Sequence, residues 1–562
     1  MIISKGVQHK MNTTININKS YLKHLIKITS PNSDTLTHAD LIMKDMFFLN
    51  DNLSIIDFTK GINWDYNHDV GPNTYKLYLH SLRPVSILCN AFEITGNSNY
   101  LIKALDITLD WNRFQSNNNH YFTWYDHSVA SRTLVLTDLY ILAQDHLSKS
   151  KLNALGNILI ENINFLYDDT AYRRNNHGIM MDRALLQAGM IFDIEPSLPY
   201  VEKALHRIKD NFKHSFSVKS THLENSPEYH KVVQDLFFDV EDFLQCFDLT
   251  LGEEIIHRLT NTNKYYRYIT KPNGKLPLLG DTKGMNSPIK VKSYDSFIDS
   301  EAGIAILQNK QKDSPENSTW LSFIAGYSTL THKHYDDLSF TLYANGEDIF
   351  VDSGKHSYGG SPIRKYIRSS IAHNTISINN RNYSLLDPLE ANGKIGITDF
   401  TTNDFYSFVK GINMGYKDTK ITRSIIHIKS GTIIILDKIK SNRIVNISQI
   451  FNLAPHISKT NGDKLNLTIK SKNNDIIIEQ LNSANSLIVH NGNPDQPKAI
   501  ISEKYGKTIN IKQLEYTKKA KEDFFLTVIT FNPQSKVDNI QFNEHNNLLS
   551  FNLKDFPVNL II

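Results

Sequence analysis

Cysteine is scarce in this chain: Cys89 and Cys246 are the only two among 562 residues. No disulfide framework or cysteine-based zinc site can be read from these two cysteines, and both lie in apolar, helix-like stretches, so we expect buried thiols. An excess of one charge is also missing, because 61 Lys and Arg residues face 58 Asp and Glu residues. A net charge of +3 does not indicate a nucleic-acid partner.

Targeting and membrane signals are absent from the sequence as written. The amino terminus reads MIISKGVQHKMNTTININKS and lacks the apolar core and small-residue cleavage site of a secretory signal. No apolar run is long enough to span a bilayer. We therefore expect no membrane partner and a cytoplasmic location, with a periplasmic or secreted location as the alternative if the start codon is misassigned. No Gly-rich phosphate loop is present, which argues against nucleotide chemistry.

The chain is too long for one compact core, and its apolar spacing changes near residue 300. Before that point apolar residues recur at helical spacing, which predicts α-hairpins over residues 1–300, arranged as a solenoid or as a closed (α/α) toroid. After it the period becomes two, which predicts antiparallel sandwich strands in a central domain over 301–460 and further strands completing the sandwich over 461–562. The fold class is therefore α+β with segregated domains.

The densest polar cluster lies in THKHYDDLSFTLYANGEDIFVDSG. His332 and His334 are two residues apart, so in an extended segment they project from the same face. Asp352 follows a predicted hairpin, and His373 follows in SIAHNTISI. Two imidazoles and a carboxylate on adjacent strands suit zinc and, less well, manganese. The alternative is that these are unconnected polar side chains at strand ends.

Two further motifs lie in the helical half. RRNNHGIMMDRALLQAG places Asn176 and His177 at the start of a helix, where they act on a ligand or merely cap the helix. The glycine that follows, Gly178, would let a polymer approach the backbone. ENSPEYHKVVQDLF places Tyr229 and His230 between a Ser-Pro turn and a helix, where a tyrosine is otherwise a packing anchor.

Other aromatic and cationic residues near these motifs could line a groove for an acidic sugar polymer. Arginine binds carboxylate and sulfate through paired hydrogen bonds, and aromatic faces stack on sugar rings. The candidates for substrate binding are Trp124, His127, Arg132, Arg174, His230, Arg364 and Arg368. Each one alone is equally compatible with a surface or packing role.

The ordered set NNHG, SPEYH, HKHYDDLSF, VDSG and AHNT resembles the heparinase II/III-like superfamily of polysaccharide lyases, which also includes alginate lyases. The resemblance implies an incomplete (α/α) toroid followed by an antiparallel β-sandwich. It also implies β-elimination on a uronic-acid-containing polysaccharide, with a glycosaminoglycan such as heparan sulfate, hyaluronan or chondroitin sulfate as the first expectation. Alginate or a capsular polymer is the alternative substrate, and a glycoside hydrolase or a non-catalytic glycan-binding protein is the alternative of another class.

The resemblance also implies roles for individual residues. Tyr229 would be the catalytic acid and also a base, and His332 would be a catalytic histidine. Asn176 and His177 would neutralise the uronate carboxylate. His334, Asp352 and His373 would bind a structural divalent metal, Zn²⁺ first, with Mn²⁺ or Ca²⁺ as alternatives. We expect a monomer or homodimer, and neighbouring histidines that favour the phenolate of the tyrosine.

Overall fold

The computed structural model describes residues 15–22, 24–51, 53–69, 71–194, 198–473, 475–532, 534–535, 537–554 and 556–562. The first 14 residues, on which the signal-peptide prediction largely rests, lie outside these ranges. The chain forms two compact units. The first is Met1–Ser215 with Asp235–Ile256, and the second is Phe216–Gln234 with His257–Ile562.

Long helices fill the chain up to residue 269, and two short ones lie among the later strands. Their bounds are α1 (Thr35–Met43), α2 (Pro72–His80), α3 (Arg83–Thr95), α4 (Asn99–Asn117), α5 (Asp126–Leu142), α6 (Lys149–Tyr167), α7 (Asn176–Ile191), α8 (Tyr200–Ser215), α9 (Pro227–Gln245), α10 (Glu253–Ile269), α11 (Pro362–Arg368) and α12 (Pro388–Ala391). A 3₁₀ helix, Tyr121–Trp124, precedes α5.

In the first unit, helices alternate between an inner and an outer row. α3 packs on α5 and α5 on α7, while α4, α6 and α8 each pack against an inner neighbour. α5 is buried without interruption from Ser128 to Tyr140, as expected of a helix surrounded by others. α6 instead buries only one stripe, with Leu155, Leu159 and Ile163 inward. This is the pattern of paired helices that the helical spacing of apolar residues predicts.

Strands follow from residue 297 onward, after four short strands in the helical part. Their bounds are β1 (Ile15–Ile17), β2 (Met46–Phe47), β3 (Ile56–Asp57), β4 (Phe192–Ile194), β5 (Phe297–Asp299), β6 (Ile304–Asn309), β7 (Thr319–Ile324), β8 (Ser339–Ala344), β9 (Glu347–Phe350), β10 (Ile376–Ile378), β11 (Ile395–Thr402), β12 (Tyr406–Asn413), β13 (Thr419–Ile428), β14 (Thr432–Asn452), β15 (Lys459–Gly462), β16 (Asn466–Lys470), β17 (Asp475–Gln480), β18 (Ser486–Asn491), β19 (Ile500–Lys504), β20 (Lys507–Asn510), β21 (Lys512–Thr530), β22 (Val537–Asn543), β23 (Leu548–Leu553) and β24 (Phe556–Ile561).

The second unit is built on two antiparallel sheets that share one core. A five-stranded sheet has the order β5-β6-β7-β8-β9, and a ten-stranded sheet runs β11-β12-β13-β14-β21-β17-β16-β15, with β10 on β14 and β18 on β21. Phe323 and Phe340 from the smaller sheet pack with Ile425, Ile435 and Ile447 from the larger one. Alternating apolar residues therefore make a sandwich core between the sheets.

Both outer faces of this sandwich are covered within the second unit. The carboxyl-terminal part of α10 packs Tyr266 and Ile269 on Trp320 and Tyr343 of the smaller sheet. The sheet β22-β23-β24 packs on the other face of the larger sheet, where Leu549 meets Ile426. Long strand pairing between β14 and β21 links residues on both sides of position 460.

The predicted domain bounds stay a prediction; helix α10 ends at Ile269 and strand β5 begins at Phe297, both within the second unit. The cysteine prediction is half wrong: Cys89 is buried, but Cys246 is exposed, because it directly follows the end of α9. Among the described helices, none has the length and apolarity that crossing a membrane would require.

Candidate active site

A tyrosine and a histidine from two distant motifs lie face to face in the second unit. Tyr229 is in the first turn of α9, and His332 is in the turn that precedes β8. Their ring centroids are 3.5 Å apart with planes inclined by 19°. The structure therefore brings together SPEYH and HKH, which are about a hundred residues apart in the chain.

One carboxylate, that of Asp281, organises the histidine side of this pair. Its two oxygens lie 3.1 Å from Nδ1 of His332 and 2.9 Å from Nε2 of His334. Arg364 donates to the same two oxygens, at 2.5 and 2.8 Å. These bonds hold the pKa of Asp281 far below its usual range, although burial opposes the shift. Asp281 is thus an ionised, buried anchor for both histidines.

Asp281 was not identified from the sequence as the partner of the two histidines. His332 and His334 were expected to share a face of an extended segment, but they lie in a turn where His332 has φ of 57°. They meet at one carboxylate and do not share a strand. A lone acid between two glycines, in GDTKG, carries no spacing signal that would connect it to HKH.

Close backbone packing fixes the segments that carry Asp281, Tyr229 and His332 against each other. Gly280 has φ of +51°, and a Cβ there would lie 2.3 Å from the carbonyl oxygen of Asn225. The Asn225 amide donates to the carbonyls of Thr329 and Thr331, at 2.8 and 3.0 Å. The residue before the SPEYH motif therefore holds the turn that carries His332, and only glycine fits beside it.

The phenol of Tyr229 is neutral in this setting. Burial raises its pKa to about 12, and the nearby carboxylates of Glu228, Asp281 and Glu224 add to the shift, against a hydrogen bond with Tyr358. The expectation that neighbouring histidines favour the phenolate stays a prediction, and the carboxylates around the same ring act against it.

Two more residues complete the surroundings of the phenol, and neither was selected from the sequence. The hydroxyls of Tyr358 and Tyr229 are hydrogen-bonded to each other. Lys355 places its ammonium 5.0 Å from the Tyr229 ring and 4.8 Å from the Tyr358 ring. Both follow the VDSG motif by a few residues, so proximity to that motif was the available signal.

The three predicted metal ligands lie near one another in buried positions. Nδ1 of His373 is 2.5 Å from an Asp352 oxygen, and its ring centroid is 5.4 Å from that of His334. Nδ1 of His334, Nε2 of His373 and the second Asp352 oxygen are buried without a hydrogen-bond partner. In the described part of the chain, however, no group of three or more such side chains is arranged as a metal cage.

His177 lies in the first unit and has its own carboxylate. Its Nδ1 is 3.0 Å from Asp126, and its ring contacts those of Tyr125 and His127 at centroid distances of 5.6 and 5.4 Å. Because Nδ1 donates to Asp126, the proton-accepting nitrogen is Nε2. Asn176 is the first residue of α7 and half-buried, and its amide has no hydrogen-bond partner among the described residues.

The capping role considered for this motif falls on the preceding residue. The Asn175 side chain accepts from the backbone N–H groups of His177 and Gly178. A Cβ at Gly178 would lie 2.0 Å from the carbonyl oxygen of Arg173. The glycine therefore makes room for this chain's own backbone, and the idea that it admits a polymer is wrong.

Of the predicted sugar-binding residues, three are buried in protein contacts. Arg132 is fully buried and donates to Asn162 and to the carbonyls of His80 and Thr123. His230 accepts from the backbone of the HLEN segment and donates to the next helix. Side chains engaged in this way on every polar atom cannot bind a sugar, and Arg364 is likewise committed to Asp281.

The remaining four keep some exposure. Trp124 is half-buried beside Phe165, at a centroid distance of 5.4 Å. His127 is half-buried beside His177. Arg174 is exposed with an ion pair to Asp210 at 3.2 Å, and Arg368 donates to a backbone carbonyl in the HKH turn at 3.0 Å. Their role in substrate binding stays a prediction.

Two family models match this chain in succession. The heparinase II/III N-terminus model matches residues 8–301, and the heparinase II/III-like C-terminal model matches residues 294–543. The chain belongs to the heparinase II/III-like superfamily.

Two curated proteins resemble the chain over much of its length. A heparin-sulfate lyase of Bacteroides thetaiotaomicron is 22% identical over 483 residues, covering 74% of this chain and 67% of that protein. One of Bacteroides stercoris is 20% identical over 476 residues, covering 74% and 69%.

Solved structures of similar proteins share the fold. A heparinase III structure matches with a TM-score of 0.77 at 17% identity, over 97% of this chain and 93% of its own. A heparan sulfate lyase from Pedobacter heparinus matches with a TM-score of 0.67 at 17% identity, over 97% and 91%. The α+β multidomain fold class is confirmed, and so is the prediction that the chain is a polysaccharide lyase.

Proposed function

We propose that this heparinase II/III-like chain is a glycosaminoglycan lyase that cleaves heparan sulfate, hyaluronan or chondroitin sulfate by β-elimination. Superfamily membership supports the reaction type, and the relatives named heparin-sulfate lyases support this class of polymer. The single observation that carries the proposal is the stacked pair of Tyr229 and His332, with the histidine tied to a buried carboxylate. That pair supplies a positioned proton donor.

The proposed reaction is a single β-elimination. A base removes the C5 proton of the uronic acid, its electron pair forms the C4–C5 double bond, the C4–O bond breaks, and an acid protonates the departing oxygen. The difficult part is the negative charge that builds up on the uronate carboxylate while C5 loses its proton. Fixed donors around that carboxylate typically contribute a few kcal/mol.

Tyr229 suits the acid role. With a pKa of about 12, its phenolate is present at roughly one part in 10⁵ at neutral pH, a cost of about 7 kcal/mol. Before substrate binds, it is therefore unfavourable for Tyr229 to act as the base. Its protonated phenol is ready to donate a proton to the leaving oxygen. For a glucuronate-type residue both proton transfers occur on one face and Tyr229 would perform both. For an iduronate-type residue a histidine would be the base.

His177 is the better placed histidine for taking a proton. Its Nδ1 donates to Asp126 at 3.0 Å, which leaves Nε2 with its lone pair. His332 faces carboxylates at both nitrogens, Asp281 at 3.1 Å and Glu224 at 3.4 Å, so its role is to hold the phenol ring. Asn176 supplies an amide to the uronate carboxylate. That these residues act on one sugar ring stays a prediction.

A structural divalent metal, most simply Zn²⁺ with Mn²⁺ or Ca²⁺ as alternatives, is part of the proposal. His334, Asp352 and His373 would hold it, and their unpartnered buried atoms support this donor set. Bound there, it would brace the turn and strand ends around the HKH motif. Elemental analysis of the purified protein and its melting with and without chelator test this. Bound metal should be lost in His373→Ala but kept in His427→Ala, which removes a buried histidine elsewhere.

The alternative enzyme class, a glycoside hydrolase, is not favoured. It would need two carboxylates free to act across the bond, but the candidate acids Glu228, Asp182, Asp281 and Asp336 are all engaged. Asp281 is held by an arginine and two histidines, and Asp182 by Tyr172 and Arg207. Asp336 accepts from Lys333, and Glu228 accepts from the backbone N–H of Lys283. Alginate and capsular polymers remain the alternative substrates, and compartment and oligomeric state stay predictions.

The test is a panel of heparan sulfate, hyaluronan, chondroitin sulfate and alginate, each incubated with the purified chain while ultraviolet absorbance is recorded. An eliminase makes a conjugated double bond that absorbs, whereas a hydrolase makes new reducing ends without it. We expect absorbing product from at least one glycosaminoglycan. New reducing ends without absorbance would refute the proposal. Absorbance with alginate alone would show that the substrate is alginate and not a glycosaminoglycan.

A further inference from the structure

An aromatic cluster lies on the first unit directly before α5. The sequence HYFTWYDH forms the 3₁₀ helix Tyr121–Trp124 and the first turn of α5. Thr123 is buried and Trp124 packs on Phe165, but Tyr121 is 69% exposed, and Phe122 and Tyr125 are half-buried. We call Tyr121, Phe122 and Tyr125 the aromatic ridge.

The rings of the ridge support one another. The Tyr121 and Tyr125 centroids are 5.3 Å apart with planes inclined by 34°. Phe122 meets Tyr121 edge-on at 5.2 Å and Tyr125 at 5.6 Å. These are the separations at which aromatic pairs attract. The ridge is therefore a preformed surface, and its outermost ring, Tyr121, is largely exposed.

The base of the ridge is fixed from below. Arg132 donates to the carbonyl of Thr123 at 2.9 Å and lies over the Trp124 ring at 5.6 Å. The ring of His120, just before the 3₁₀ helix, stacks on buried His80 at 4.7 Å. Arg132, selected from the sequence as a sugar ligand, instead holds the segment that presents the aromatic rings. A rigid support lowers the entropic cost of binding a ligand on top.

The ridge leads to the proposed catalytic histidine. Tyr125 meets the ring of His177 edge-on at 5.6 Å, and the next residue, Asp126, holds Nδ1 of that histidine. Tyr121 therefore lies about two ring separations from His177. A ligand bound at His177 and extended along the ridge would meet Tyr125 first and Tyr121 last.

We propose that the aromatic ridge is a subsite that stacks a sugar ring of the polysaccharide beyond the residue being cleaved, at a position that only longer chains reach. This rests on the proposed function, because the polymer chain is what extends from His177. A pyranose ring has an apolar C–H face that fits a flat aromatic ring, and hydroxyls that the tyrosine hydroxyls can bind. The subsite therefore binds a sugar ring of the substrate chain, and this ring needs neither a sulfate nor a carboxylate group.

The test compares Tyr121→Ala with Phe405→Ala, which removes an equally exposed aromatic, also 69%, in the second unit. Both are made alone and in a Tyr229→Phe background for binding measurements by intrinsic fluorescence. The probes are long chains and the shortest bound oligosaccharides of heparan sulfate, hyaluronan and chondroitin sulfate. Tyr121→Ala should raise Kd and KM for long chains about 5- to 20-fold, with kcat and the values for the shortest oligosaccharide nearly unchanged.

Tyr121→Phe keeps the stacking face and should restore Kd to within about twofold of the wild type, while Phe405→Ala should change nothing. Unchanged Kd for long chains in Tyr121→Ala, or an equal rise in Phe405→Ala, would overturn the subsite. So would the absence of binding to every probe. If no unsaturated product forms but Tyr121→Ala still raises Kd for long chains, the lyase proposal is rejected and the subsite is retained.

Discussion

Replacing Asp281 with Asn is the sharpest single perturbation of the site, since one carboxylate holds three partners. Asn keeps the shape but presents an NH₂ group to N–H donors and leaves the Arg364 guanidinium without its counter-ion. Breaking a buried ion pair costs about 3–5 kcal/mol, so the free energy of unfolding should fall by that amount. Because His332 loses the bond that aims it, kcat/KM should fall about 10²- to 10⁴-fold.

The matched control is Asp437→Asn. Asp437 forms a buried pair with Nε and Nη2 of Arg423, at 2.6 and 2.8 Å, in the same unit and without a histidine. Urea unfolding should show a similar loss of stability for both variants. Turnover of unsaturated product, scaled to the folded fraction, should fall only in Asp281→Asn. Equal turnover losses would refute the reasoning, because Asp281 would then matter only for folding.

Two further perturbations address other parts of the molecule. Asp126→Asn removes the partner of His177 Nδ1, and it should lower kcat/KM about 10²-fold with little change in urea stability; unaltered kinetics would exclude His177 as the base. Glu515→Gln tests a pH effect. The hydrogen bond from His490 lowers the pKa of Glu515 from 4.5 to about 2, against the effect of burial. The stabilisation that ionised Glu515 gives the folded state is therefore fully present above about pH 4.5 and is lost as the pH falls through about 2. At neutral pH the variant should be less stable by about 1–2 kcal/mol, a value reduced for solvent screening, and the gap should close on acidification; a gap that widens would contradict the sign.

The apolar periods predicted the secondary structure, and the local motifs predicted the residues of the candidate site. Helical and alternating apolar periods predicted the order of helices and strands, because each period reflects one buried face. SPEYH and HKH pointed to Tyr229 and His332, which the structure places in contact. The contact itself depends on Gly280 and Asn225, whose importance is visible only when three loops pack.

Residues that act through long-range packing could not be selected in this way. Asp281 is a single acid in a loop, 51 residues from His332, and its partners are fixed only by the fold. Arg132 resembles a ligand for a carboxylate in sequence, but a fully surrounded helix buries it. Tyr121 is the most exposed ring of the segment before α5, whereas Trp124, selected from the sequence as an aromatic that could line a sugar groove, is half-buried there.

The most direct measurement compares the rate of unsaturated product from heparan sulfate by the wild-type chain, by Tyr229→Phe and by Tyr505→Phe, an exposed control in the same unit. If Tyr229 supplies the proton to the leaving oxygen, its variant should lose at least about 10²-fold in kcat while urea unfolding stays near wild type, and the control should retain full activity. Tyr229→Phe turning over as fast as the wild type would contradict the account.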